Sequence, residues 1–141
     1  MPIFNREVTP AQLNQFSHNT LVSHLGIEVV EVKDGYIRAK MPVDARTHQP
    51  LGLLHGGASV ALAETLGSVA ASCCLDLSVC YAVGLEINAN HIKSVRSGFV
   101  YGETKPVHVG KRTHVWEIRI TNEQQELVCI SRITMAIIDK R

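Results

Sequence analysis

The chain has 141 residues, 45% of them hydrophobic, which suits one domain over residues 1–141 built on a single core, without a linker. Fourteen Lys and Arg stand against thirteen Asp and Glu, a balance that excludes the broad basic field of a nucleic-acid-binding protein and leaves any anionic ligand to a local cluster. The four cysteines, Cys73, Cys74, Cys80 and Cys129, show neither a disulfide framework nor a CxxC metal pattern, so a reducing, cytoplasmic setting is expected.

Residues 1–20 lack the basic start and long apolar run of a signal peptide. Thr9 followed by Pro10 predicts an N-cap and first helical residue, with a short peripheral helix running to about Ser17. The run from Gly26 to Val43 holds two β-rich segments around Lys33-Asp34-Gly35, a hairpin signal in which glycine takes a positive φ. A loop from Asp44 to Leu54 follows, carrying Arg46, His48, Gln49, Pro50 and Gly52, and loops of that length often have a function.

The segment from Gly56 to Leu75 is long enough to span a membrane. Glu64 at its centre, with Thr65, three serines and three glycines, makes a buried helix the better reading. Strand-like runs then cover about Tyr81 to Asn90, Gly98 to Pro106, Thr113 to Thr121 and Glu126 to Ile138, with a polar turn at Asn122 to Gln125. The whole predicts an α+β fold, with one long central helix against a mostly antiparallel sheet of five to six strands.

On the helix, Ala58, Leu62, Leu66, Val69 and Cys73 recur at spacings of three and four and predict the stripe that lies on the sheet. A second face carries Val60, Ala61, Glu64, Gly67, Ser68 and Ala71, small enough for a second subunit to approach. If both faces are covered, Glu64 loses water and needs polar neighbours to support its charge. His55-Gly56-Gly57 opens the helix, where unpaired backbone N–H groups suit an oxyanion, and the helix start and Glu64 are expected to flank one carbonyl centre. Taken from the helix alone, pairing of Glu64 with a basic group across an interface is an equal alternative. Ser68, four residues after Glu64, shares its face.

The segment PVDARTHQPLGLLHGGASVALAETLGS resembles the signature of hotdog-fold thioesterases related to the bacterial 4-hydroxybenzoyl-CoA thioesterases. VGLEINANHIKSVRSG and PVHVGKRTHVWEI are similar to the branch acting on 1,4-dihydroxy-2-naphthoyl-CoA in menaquinone synthesis, so the likeness runs from about Asn19 to near the end. A sister branch, which clears misacylated aryl carrier protein in enterobactin synthesis, shares most of these residues.

The resemblance implies a sheet wrapped round the long helix, dimers with active sites between subunits, and tetramers of two dimers. It makes Glu64 the nucleophile or general base, with the Gly56 N–H polarising the thioester oxygen and His55 positioning the thioester. Gln49 and Ser68 from facing subunits hold substrate or water. It assigns substrate or coenzyme A contacts to Gly84, to His91, Ile92, Lys93 and Ser94, and to His108, Val109, Gly110, Lys111, Arg112 and Thr113. Taken without the resemblance, these two segments read as solvated turns. No metal and no separate cofactor is implied, since coenzyme A is part of the substrate.

The acyl pocket is expected to draw on Leu51, Leu54, Val60 and Val69, which accept a ring or an alkyl chain, so a broad acyl-CoA thioesterase is also open. Hydratases of this fold carry a His-Phe-Pro-Gly type of loop that is absent here, and there is no GxSxG, Walker, Rossmann or HExxH pattern. A non-catalytic acyl-CoA binding module is the remaining alternative.

Overall fold

The computed structural model describes residues 1–141. In chain order the elements are α1 (Pro10–Phe16), α2 (Leu21–His24), β1 (Glu28–Lys33), β2 (Tyr36–Pro42), α3 (Gly56–Cys73), β3 (Cys80–His91), β4 (Phe99–Val109), β5 (Thr113–Thr121) and β6 (Leu127–Asp139). The six strands form one sheet in the order β1-β2-β4-β5-β6-β3, with every neighbouring pair antiparallel. The sheet is wrapped round α3, the arrangement that the resemblance implies. No helix is long and apolar enough to cross a membrane.

Period-two alternation sends Ile37, Ala39 and Met41 of β2, Trp116, Ile118 and Ile120 of β5, and Ile133 and Met135 of β6 into the core beneath the helix. From α3 come Ala58, Leu62, Leu66 and Cys73, as the spacing predicts, joined by Ala63 and Ala70. Val69 departs from the expected stripe and is only half-buried. The small-residue face is also divided: Gly67 and Ala71 pack within the chain, while Val60, Ala61, Glu64 and Ser68 keep access to solvent.

The helix seats closely because glycines meet it. A Cβ on Gly67 would overlap Ile133 Cγ2, and one on Gly102 of β4 would lie 2.6 Å from Leu66 Cδ1.

The amino-terminal strap ties the ends of this assembly together. The Ile3 and Phe4 N–H groups donate to the Asp34 carboxylate in the β1–β2 turn at 2.7–3.0 Å, holding that acid below its usual range. Gly35 completes the turn with φ +72°, as the hairpin signal requires. Asn5 N–H bonds the Cys73 carbonyl at 3.0 Å, and Arg6 donates to the Ser72 and Leu75 carbonyls, closing the α3 carboxyl end.

α1 begins as expected, with a reciprocal capping box between Thr9 and Gln12. Its Asn14 side chain accepts from the Val29 N–H (2.7 Å) and donates to the Val29 carbonyl (3.0 Å), doing for the outer edge of β1 what a neighbouring strand would do. β3, the opposite edge, pairs with β6 alone, and all twelve of its residues are exposed or half-buried. The sheet therefore has one guarded and one open edge.

Gly67→Ala is expected to destabilise the fold by about 1–3 kcal/mol, as overpacking does. Adding Ile133→Leu, which removes the opposing methyl, should recover part of that loss in a denaturant double-mutant cycle. Burial, and next the neighbouring His108, hold the pKa of His114 below the usual 6.5. Below that pH the unfolded chain binds a proton there that the native chain refuses, so stability should fall as pH drops from 6.5. Denaturation midpoints against pH should show a smaller acid loss in His114→Gln.

Candidate active site

The α3 start is fixed by hydrogen bonds that leave one donor over. His55 is the N-cap, and its Nδ1 accepts from the Gly57 N–H at 2.8 Å. The Ala58 and Ser59 N–H groups both reach the His55 carbonyl, at 3.0 and 3.2 Å. Gly56 N–H makes no hydrogen bond, and so remains the unpaired donor at the positive end of an eighteen-residue helix. Because His55 Nδ1 is an acceptor, the neutral ring carries its proton on Nε2.

The 44–54 loop is held beside this donor. Thr47 accepts from the His55 N–H at 2.8 Å, His48 Nε2 meets the Arg96 carbonyl at 2.9 Å, and Gln49 N–H reaches the Leu53 carbonyl at 2.7 Å. Gln49 Oε1 accepts from the Leu51 N–H, which leaves the amide NH₂ as its free polar group. A cavity of about 210 Å³ lies here, lined by Gln49, Leu54, Gly56, Ser59, His91 and the 92–94 segment among others. Of the apolar residues expected in an acyl pocket, Leu54 alone lines it; Leu51 is 76% exposed, and Val60 and Val69 sit half-buried on α3. Wider grooves along residues 2–16, about 600 and 700 Å³, hold none of the predicted site residues.

His91 is nearer the helix start than its sequence position suggests. Its Nε2 lies 3.0 Å from where a Cβ on Gly56 would be, so any side chain there would crowd the imidazole. Ser59, which sequence reasoning passed over, lies three residues after Gly56 and so on the same side of α3; that spacing was the available signal.

Glu64 occupies a different place. Eight residues beyond Gly56, it is about 12 Å further along the axis, too far for both to contact one carbonyl group. The expectation that the helix start and Glu64 of one chain flank the same centre is therefore corrected. Its carboxylate leans on β3 at Gly84, where a Cβ would stand 2.9 Å from Oε2. It is also exposed in the single chain, so the loss of water expected for it needs a covering that one chain does not supply. Ser68 lies one turn further on, its Oγ 4.0 Å from Met135 Sδ.

The two segments assigned to coenzyme A part in the same way. His91 stands beside Cys129 of β6, whereas Thr113 stands beside Ala136. Seven residues of extended strand put them about 23 Å apart. At the first segment, Lys93 pairs with Glu126 at 3.2 Å. At the second, Gly110 N–H closes a tight turn on the Thr113 carbonyl (2.9 Å) and Arg112 reaches Asp139 at 3.5 Å across open solvent. Lys111 has no acidic partner.

The predicted residues thus form two sets within a chain. Gln49, His55, Gly56 and His91–Ser94 gather at the helix start, while Glu64, Ser68, Gly84 and the 108–113 turn lie toward the other end.

A family model described as the thioesterase superfamily matches residues 51–129. The chain belongs to that superfamily. A mutant thioesterase from Pseudomonas aeruginosa superposes with TM-score 0.96 at 46% identity, covering 98% of this chain and 99% of that one, which places the fold among hotdog thioesterases. The 1,4-dihydroxy-2-naphthoyl-CoA hydrolase of Escherichia coli is 48% identical over 136 residues, 96% of this chain and 99% of its own. The proofreading thioesterase EntH of Klebsiella pneumoniae is 49% identical over 135 residues, 96% of this chain and 98% of its own. This hotdog thioesterase is accordingly a thioester hydrolase.

Proposed function

We propose that this thioesterase hydrolyses 1,4-dihydroxy-2-naphthoyl-CoA in menaquinone synthesis, in the cytoplasm. It works as a two-fold dimer whose every active site joins the helix start of one subunit to Glu64 of the other. The observation that carries the reading is the split itself: an unpaired Gly56 N–H and a carboxylate about 12 Å apart on one helix, each useless to the other's carbonyl within the chain.

The free edge of β3 supports the same reading, since Asn14 closes the only other edge and an isologous pairing of β3 with itself runs two copies antiparallel. Tyr81, Val83 and Leu85, exposed on that strand, gain cover. The two α3 helices then run antiparallel, bringing Gly56 of one toward the partner's Glu64. The same rotation carries the partner's 108–113 turn toward His91–Ser94. Two such dimers make the tetramer.

In this site the thioester oxygen accepts from the Gly56 N–H, which offsets the charge developing on it. His55 Nε2–H and the Gln49 amide orient the thioester. The partner's Glu64 either attacks the carbonyl carbon, giving an anhydride that water cleaves, or takes a proton from the attacking water, which the partner's Ser68 holds. Coenzyme A departs as a thiolate, and a thiol of pKa near 8.5 needs little acid assistance. Pantetheine passes Gly84 and His91–Ser94, with the phosphates at the 108–113 turn. No metal or separate cofactor takes part.

The similarity to EntH favours a second reading, hydrolysis of a misacylated aryl carrier protein, at an identity indistinguishable from that to the naphthoyl-CoA hydrolase. Steady-state rates on 1,4-dihydroxy-2-naphthoyl-CoA, benzoyl-CoA, a medium-chain acyl-CoA and an aryl carrier-protein thioester separate the two. Preference for the naphthoyl ester supports the first, and preference for the carrier-protein ester replaces it with the second. Glu64→Gln should lower kcat by roughly 10²–10⁴ with the fold intact; a variant within a few-fold of wild type rules the carboxylate out. Coexpressing Gln49→Ala with Glu64→Gln should restore about a quarter of wild-type activity, because a mixed dimer has one site with both lesions and one with neither. A site contained in one chain restores none.

A further inference from the structure

We propose that Ser59 is a specificity-determining residue: its hydroxyl bonds a hydroxyl group on the acyl part of the thioester, so that the cavity at the helix start selects hydroxylated aryl esters over bare ones. The proposal rests on the reading above that sets the thioester oxygen on the Gly56 N–H.

Six polar residues are buried in this protein, and the side chains of five are bonded within the chain. Thr47 donates to the Pro42 carbonyl, Thr104 to that of Glu117 and Ser131 to that of Asn88. His114 accepts from the Trp116 indole N–H, and Asn122 donates to Glu126. The sixth is Ser59, 1% exposed, whose hydroxyl makes no hydrogen bond.

The cause is local. Thr65 and Ser72, also on α3, donate to the carbonyl four residues back at 2.7 and 2.9 Å. The corresponding acceptor for Ser59 is the His55 carbonyl, which already receives the Ala58 and Ser59 N–H groups. No completely enclosed side-chain polar atom in this protein lacks a partner, so the unbonded Ser59 Oγ keeps a small opening. It opens on the cavity of about 210 Å³ that the residue lines. A buried hydroxyl without a bond costs stability, and a ligand in that cavity can supply the bond.

The cavity has a rim and a floor. His91 to Ser94 are exposed, Leu53 and Leu54 are half-buried, and Ser59 and Val128 are buried. Pantetheine has to continue to the nucleotide and so follows the open rim. The acyl group ends inside the site, and it alone can reach the floor. The Gly56 N–H points out of the helix, while Ser59 stands about 4.5 Å along the axis in the other direction, so the two do not share the thioester oxygen. Ser59 therefore meets a substituent beyond the carbonyl.

One hydroxyl on a floor that is otherwise apolar fixes orientation and discriminates between ligands. The substituent it meets is neutral, because the one Lys or Arg on the cavity wall, Lys93, is paired with Glu126 at 3.2 Å and no cation is left for a carboxylate. A ring hydroxyl both donates and accepts, so it completes Ser59 whichever way the serine proton turns.

The test measures kcat/KM for 2-, 3- and 4-hydroxybenzoyl-CoA, each relative to benzoyl-CoA, in wild type and Ser59→Ala. The electronic effect of the ring hydroxyl on the carbonyl is the same for both proteins and cancels in the comparison. For at least one ring position the ratio should fall roughly threefold to thirtyfold in the variant, while benzoyl-CoA is cleaved within about twofold of the wild-type rate. Since the hydroxyl has no partner in the free protein, the variant should also keep or raise the denaturation midpoint, where loss of a hydroxyl bonded within the fold would lower it. A packing role would move all four esters alike and leave every ratio unchanged; that result, or a lowered midpoint, overturns the inference. If the ratios hold while Glu64→Gln still abolishes turnover, the inference falls and the thioesterase reading stands. If wild type cleaves a medium-chain acyl-CoA and no aryl ester, the aryl reading fails and the inference falls with it.

Discussion

The close seating of α3 on its sheet is the constraint from which the rest follows. Glycine at Gly67 lets the helix backbone come down on Ile133, and glycine at Gly102 makes room for Leu66, so the helix has one depth and one axial position. That position puts Glu64 against Gly84 of β3 and Gly56 beneath His91 at the end of the same strand. Four chemically capable residues are thereby fixed in two pairs along an edge strand whose outer hydrogen-bonding groups are free.

Separation along a rigid rod then limits the chemistry. A helix rises 1.5 Å per residue, so eight residues cannot be bent round a carbonyl group a few ångströms wide. Either one of the two features is idle, or a second helix running the other way completes each site. The guarded β1 edge and bare β3 edge favour the second answer, because a sheet with one open edge forms a closed pair and not a chain of copies. The cavity of about 210 Å³ points the same way, being smaller than the 300–1,000 Å³ usual for ligand sites and walled by only one of the two sets. Exposure of Glu64 in the single chain is compatible with the proposed dimer.

Substrate choice belongs to a finer scale. Thioester cleavage asks for one donor, one carboxylate and a good leaving group, and those are properties of the motif. Distinguishing a naphthoyl ring from a benzoyl ring or an alkyl chain asks for the contours of an apolar wall. Here Leu54 is the one anticipated wall residue that lines the cavity, while Val60 and Val69 stand on the open side of α3. A naphthoyl-CoA hydrolase and a proofreading thioesterase are similar to this chain almost equally.

The sequence by itself determined most of the elements and offered the candidate site residues, because those depend on local signals. The Thr9–Gln12 box, the Asp34-Gly35 turn, the period-two strands and the His55-Gly56-Gly57 helix start all act within a few residues of themselves. The short α2 helix escaped notice because four residues carry too little periodicity to register. Tertiary structure alone decided which side of α3 Gly67 and Ala71 face, that the His91 ring lies over Gly56, and that the 91–94 and 108–113 segments stand about 23 Å apart within one chain. Those outcomes depend on strand order and register. Residues distant in sequence are brought together only when β3 crosses to pair with β6, and no local pattern records that crossing.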